Sequence, residues 1–180
     1  MHSNLAAHYL ADVAETLRKH KALSDRAVAE LSDGDLFATI DEESNSVAVL
    51  MKHMGGNLRS RWTDFLTTDG EKPDRHRDAE FLIEPGTTKE TVLAWWEEGW
   101  QTLFASLEAL TPADLDRRVT IRGEPHTVVQ AVDRGLAHCA YHVGQIVFLA
   151  KHLRSTRWQS LSIPRGKSEE FNATMKRYKG

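Results

Sequence analysis

Cysteine is almost missing from this chain. Cys139 stands alone, so no intramolecular disulfide framework can hold the fold, and a lone thiol fits a reducing compartment. No long uncharged apolar run occurs, which gives no sign of a membrane-spanning helix. An excess of charge of one sign is also lacking. The formal net charge of −3 leaves no electrostatic footprint for nucleic acid. Met1-His2-Ser3-Asn4 leads straight into an amphipathic pattern without the layout of a signal peptide. The expectation is a cytoplasmic protein that engages neither nucleic acid nor membrane. There is no internal repeat and no low-complexity segment, and 180 residues suffice for one domain with a real core, read here as 1–180.

What the chain does have is apolar spacing at the helical period. Over 4–31, Leu10, Val13, Leu17, Ala27, Val28 and Leu31 form one stripe, closed by Ser32-Asp33-Gly34. A polar connector, 41–45, precedes a second helix over 46–66 with Val47, Leu50, Met54, Leu58 and Phe65 facing inward. The stretch 67–86 is charged and turn-rich. A connection of that length in a compact bundle covers a site or an interface, or else is a plain solvated loop. Thr87-x-x-Glu90 reads as a capping box for a third helix carrying Val92, Trp95, Trp96, Leu103, Leu107 and Leu110, which Thr111-Pro112 ends. Its tryptophans suit the core or a subunit interface. Val119-Thr120-Ile121 and the turn-like Arg122-Gly123-Glu124 suggest a small hairpin.

Proline and breaker clusters are missing from 127–153, which reads as one long helix with Val128, Val132, Leu136, Cys139, Val143, Ile146 and Ala150 inward. An arm over 154–180 follows, containing Trp158, Ser162-Ile163-Pro164-Arg165-Gly166 and a polar tail with room for one short helix. Four long helices around one core predict an all-α four-helix bundle with a small hairpin before the last of them.

The chemistry concentrates in His138-Cys139-Ala140-Tyr141-His142. Histidines four apart stack on one side of a helix, and two such imidazoles can reach one metal ion. His53, on the inward half of the second helix, supplies a third nitrogen. Three neutral imidazoles leave a coordination position open, the mark of a catalytic rather than a structural zinc site. Imidazole suits several divalent metals, so zinc or nickel is expected, with iron or manganese as alternatives. Asn57 and Arg61 follow His53 along one side of the helix. They could orient a ligand or hold an anionic group, or Arg61 could simply pair with a carboxylate of the 67–86 loop. Gln145, one turn past His142, could hydrogen-bond a ligated imidazole or contact another helix. Arg165 could fold over the site or grip a partner subunit. Cys139 reads as a small buried hydrophobe, Tyr141 as an interface residue and His20 as an unliganded histidine. Gly166-Lys167-Ser168 is no phosphate loop, because Leu161 stands where that motif needs glycine.

As a set, several stretches resemble the DinB-like superfamily of metal-binding four-helix bundles. Within it, they are most similar to a largely uncharacterised bacterial branch, domain of unknown function 1572. The stretches are 56–65, 69–73, 77–81, His138 through His142-Val143-Gly144-Gln145-Ile146, and 160–168. The superfamily's metal histidines fall on His53, His138 and His142. The resemblance further implies a homodimer and, by analogy, thiol-dependent transfer chemistry with a low-molecular-weight thiol. Besides a structural dimer whose histidines just fill space, two functions therefore compete. One is a metal-dependent enzyme of transferase or hydrolase type acting on a small molecule. The other is a metal- or ligand-binding dimer without turnover, favoured by the lack of an evident general base beside the histidines.

Overall fold

The computed structural model describes residues 2–174; the end of the C-terminal arm lies outside the described residues. Four long helices form the body: α1 (His2–Ala29), α3 (Val47–Trp62), α4 (Lys89–Ala109) and α5 (Val128–Arg154). Two short helices, α2 (Asp33–Phe37) and α6 (Ser168–Thr174), and one hairpin, β1 (Arg118–Ile121) with β2 (Glu124–Thr127), complete the regular elements. The expected all-α bundle with a hairpin before its last long helix is what forms. No helix among the described residues is long and apolar enough to cross a membrane.

Each long helix buries the stripe that its period marked out. Leu17, Ala27 and Val28 on α1, Leu50, Met54 and Leu58 on α3, Val92, Trp96, Trp100 and Leu103 on α4, and Val132, Cys139, Val143 and Ile146 on α5 share one apolar cluster. The most extensive packing joins α3 to α4 and α1 to α5, with α3–α5 and α1–α4 contacts closing the ring. Two glycines set the α3–α4 distance. A methyl at Gly55 would lie 2.4 Å from the Trp95 carbonyl oxygen, and one at Gly99 would lie 2.7 Å from the Gly55 Cα. On the opposite side of α3, a methyl at Gly135 of α5 would meet the Trp62 ring at 2.9 Å. Small residues at these crossings bring α4 and α5 close to α3, and α5 carries the histidine pair.

The second helix ends at Trp62 rather than 66, which leaves the buried Phe65 in the turn after it, and two caps also differ from the sequence expectation. Ser32-Asp33-Gly34 does not merely end a helix; it opens α2. The Ser32 hydroxyl accepts the Asp35 N–H while the Asp35 carboxylate accepts the Ser32 N–H, a reciprocal cap that starts a new turn. The cap of α4 is Thr88 rather than Thr87, because the Thr88 hydroxyl accepts the Thr91 N–H. In the hairpin, Val119 faces His126 and Ile121 faces Glu124. Arg122 and Gly123 both take positive φ, 56° and 74°, as a tight two-residue hairpin turn requires.

The 67–86 connection, though largely exposed, is tied down. The Asp69 carboxylate accepts N–H groups from Arg122 and Gly123 at 2.8 Å and from Glu71 at 2.7 Å. Gly70 N–H donates to the Thr120 carbonyl, and Ser60 on α3 bridges Gly70 and Lys72. Burial would raise the Asp69 carboxyl, but the three N–H donors hold it down at about 2. The segment then makes a 3₁₀ turn, Arg77–Phe81, against α3.

Replacing Gly99 by alanine tests the α3–α4 crossing. Alanine in a helix interior is worth about 1 kcal/mol over glycine, but overpacking a close contact costs about 1–3 kcal/mol. The urea midpoint of Gly99→Ala is expected to fall. A midpoint equal to or above the parent's would mean that the helices are not so close.

Candidate metal centre

His53 comes from the second turn of α3, and His138 and His142 from consecutive turns of α5. Gly135, one turn before His138, lets α5 approach α3 where it meets the Trp62 ring. The ring centroids lie 5.0 Å (His53–His142), 5.5 Å (His53–His138) and 4.5 Å (His138–His142) apart. One ligand nitrogen from each lies within 4.8 Å of the others, a group that could hold a metal ion. His53 and His142 are buried and His138 is half-buried.

Two of the rings are held from outside. His53 Nδ1 lies 2.8 Å from Glu80 Oε2. Arg75 grips the same carboxylate through two nitrogens at 2.8 Å each and reaches Glu71 at 3.0 Å. Burial would raise the Glu80 carboxyl, but hydrogen bonds from His53 and Arg75 outweigh it and hold it below the ordinary range. Glu80 is therefore ionised and accepts the Nδ1 proton, which leaves the His53 Nε2 lone pair for a ligand. His142 Nδ1 donates in the same way to Gln145 Oε1 at 2.7 Å, as one of the sequence readings of Gln145 had it. The third ring differs: His138 Nδ1 is buried with no hydrogen-bond partner among the described residues.

Burial keeps the two α5 histidines neutral. Burial, followed by repulsion from His142, His53, Arg61 and Arg75, pushes His138 down to about 3. Burial likewise lowers His142, with His53 adding to the shift and Gln145 opposing it. At neutral pH both rings therefore carry lone pairs, as metal ligation needs.

The other expected residues divide. Asn57, Arg61 and Gln145 line the same cavity of about 460 Å³ as the three histidines. Arg61 makes no ion pair with the 67–86 loop. Tyr141 is exposed, lines the cavity and sets its ring edge against His142 at 4.9 Å between centroids. Arg165 is elsewhere: exposed, it lines a separate surface cavity with Lys151 and Trp158. The arm is held away from the histidines because Arg26 of α1 donates to the Leu161 carbonyl and Trp158 and Leu161 pack on the core. Cys139 is fully buried, and burial pushes its thiol up to about 12, so it behaves as the expected small hydrophobe. His20 is half-buried and stands apart from the trio.

Sequence reasoning missed Glu80 and Arg75. The available signal was the pair Gly55-Gly56 in an otherwise regular helix. A methyl at Gly56 would sit 2.4 Å from Glu80 Oε1, so this glycine makes room for the carboxylate behind His53.

Two expectations follow. First, Glu80→Gln and Gly56→Ala should each weaken metal affinity about 10–100-fold, the usual effect of losing a partner behind a ligating histidine; competition with a chromogenic chelator reads this, and unchanged affinity would remove Glu80 from the site. Second, metal-stripped protein should lose stability as the pH falls from about 6.5 toward 3. Across that window the unfolded chain binds protons at ordinary histidines while folded His138 does not, so the neutral folded form is penalised only at low pH. Thermal melts of His138→Gln should show a flatter acid limb than the parent; identical limbs would contradict the assignment.

No curated protein and no solved structure matches the chain. A family profile described as "Protein of unknown function (DUF1572)" matches residues 4–167, nearly the whole described chain, and the protein belongs to that family.

Proposed function

We propose that the protein is a metal-dependent enzyme in which His53, His138 and His142 hold one divalent ion, zinc or nickel before iron or manganese. The observation that carries this reading is the convergence of three imidazoles from two helices on one cavity, with two of them aimed by outside hydrogen bonds. His53, His138 and His142 would hold such an ion, which when bound would supply Lewis-acid chemistry and acidify a water or thiol. The residues present fit such an ion. His138 Nδ1 is an orphaned buried nitrogen, which a histidine that only fills space would leave unsatisfied at a cost.

The protein's own groups then act as positioning elements. Glu80 fixes the tautomer and tilt of His53, Gln145 does the same for His142, and the Phe81 ring packs at a 30° tilt against His53, 4.7 Å between centroids. Glu80 is not a general base toward substrate, since both its oxygens are engaged by Arg75 and His53. No aspartate or glutamate lines the cavity among the described residues. A thiol acidified by a bound ion would need no side-chain base, whereas a hydrolytic water is ordinarily helped by one. Thiol-dependent transfer is therefore preferred to hydrolysis, in line with the DinB-like resemblance. The same observation supports the second reading, a metal- or ligand-binding protein without turnover.

A homodimer belongs to this proposal. Ala137, Ala140, Tyr141, Gly144 and Phe148 form an exposed, largely apolar stripe along α5, with Tyr141 at 64% and Phe148 at 65% exposure, suited to a second copy's helix.

Metal analysis of protein purified without a nickel column tests the ion, and incubation of the loaded protein with low-molecular-weight thiols and electrophilic acceptors tests turnover. About one metal ion per chain is expected in the parent, with little in His138→Ala. Product should form only with the intact trio. Metal-free parent protein, equal in stability to the variant, would refute the metal reading; bound metal without turnover would leave the binding role.

A further inference from the structure

The cavity in front of the histidines is ringed by arginine to a degree that a three-histidine site does not require. Five arginines line it: Arg61 from α3, Arg75 and Arg77 from the 67–86 connection, Arg122 from the hairpin turn and Arg134 from α5. No carboxylate lines it among the described residues. Arg75 is occupied by Glu80 and Glu71, and Arg122 shares Glu71 at 3.4 Å. Arg77 lies over the Phe81 ring at 4.9 Å and reaches the exposed Asp78 at 3.7 Å. Arg61 and Arg134 have no carboxylate within ion-pair distance among the described residues.

Arg61 is the informative member. It is only 8% exposed, and its Nε is buried without a hydrogen-bond partner. Burial first, then repulsion from Arg134 and Arg75, lowers this guanidinium to about 10, against a partial offset from Glu71. A buried, unpaired cation is costly unless something compensates it. The fold nonetheless makes room for it: a methyl at Gly70 would lie 3.1 Å from the Arg61 Cδ, so a glycine in the tied-down loop lets the side chain lie there. Four separate elements thus bring guanidinium groups to one concave surface, an arrangement that complements an anion and repels a cation.

We infer that this cavity binds a small anionic molecule, with a carboxylate or phosphate group held between Arg61 and Arg134 and its remainder extending toward the three histidines. That the molecule is a substrate rests on the metal reading above; that it binds does not, because the arginines need no ion to attract it. The size of the cavity, about 460 Å³, suits a metabolite rather than a polymer.

Calorimetric titration of inorganic phosphate and of succinate into EDTA-dialysed protein, and into the same protein reloaded with zinc, tests this. Saturable binding of at least one anion is expected in both forms, and the preferred anion separates a phosphate group from a carboxylate. Arg134→Gln, an exposed position, should weaken it tenfold or more, as should Arg61→Gln. Arg18→Gln, a surface control on α1, should change it less than twofold. If circular dichroism shows Arg61→Gln misfolded, Arg134→Gln decides alone. No saturable binding in either form would overturn the inference, as would binding that needs zinc and ignores the arginines, since the anion would then be a metal ligand only. Arginine-dependent binding by a chain that takes up no metal would sink the metal reading and leave the anion site standing.

Discussion

A single buried carboxylate connects the parts of this molecule that matter. Glu80 accepts from His53 on one side and from Arg75 on the other, each at 2.8 Å, and is itself only 7% exposed. It joins the 67–86 connection to α3 and fixes which nitrogen of His53 faces the cavity. Ion pairs this deep give little net stability against an apolar alternative, but removing one partner leaves an uncompensated charge at a cost of about 3–5 kcal/mol. The arrangement is therefore better understood as a device for orientation. It converts a mobile imidazole into one with a set tautomer and a set direction.

The rest of the structure serves that geometry through close approach. Gly55 and Gly99 bring α4 against α3, Gly135 brings α5 against Trp62, and Gly56 admits Glu80. The Asp69 cluster of N–H bonds clamps the long connection to the hairpin, and this places Arg122 at the cavity rim. A bundle core alone would leave these distances free to vary by the size of a methyl group. With the glycines in place, the histidines of two helices meet, and Arg61, Arg122 and Arg134 line the same space.

Much of this was legible in the sequence, and the limits have physical causes. Helical period marked the buried stripes of all four long helices, because burial on one side of a 3.6-residue repeat leaves an apolar record in the chain. The same period placed His53, His138 and His142 on inward faces, and two helices packed side by side bring them together. Gln145 was readable because it lies within one turn of His142. Glu80 and Arg75 were not, since they come from an irregular segment whose path has no periodicity, and their pairing spans 27 residues between His53 and Glu80. The place of Arg165 was not readable for a related reason: an arm without regular structure can be aimed anywhere until its contacts with α1 are known. The cap of α4 lies one residue from the expected Thr87, where two adjacent threonine hydroxyls were equally readable as caps.

The proposed enzymatic function depends on three imidazoles sharing one ion. X-ray diffraction from metal-loaded crystals, with data on both sides of the metal's absorption edge, tests it directly. The expected result is one anomalous peak between α3 and α5, bonded to a ring nitrogen of His53, His138 and His142, with Glu80 on the far side of the first ring. A peak elsewhere, or one that leaves the ring of His53 unbonded, would contradict it.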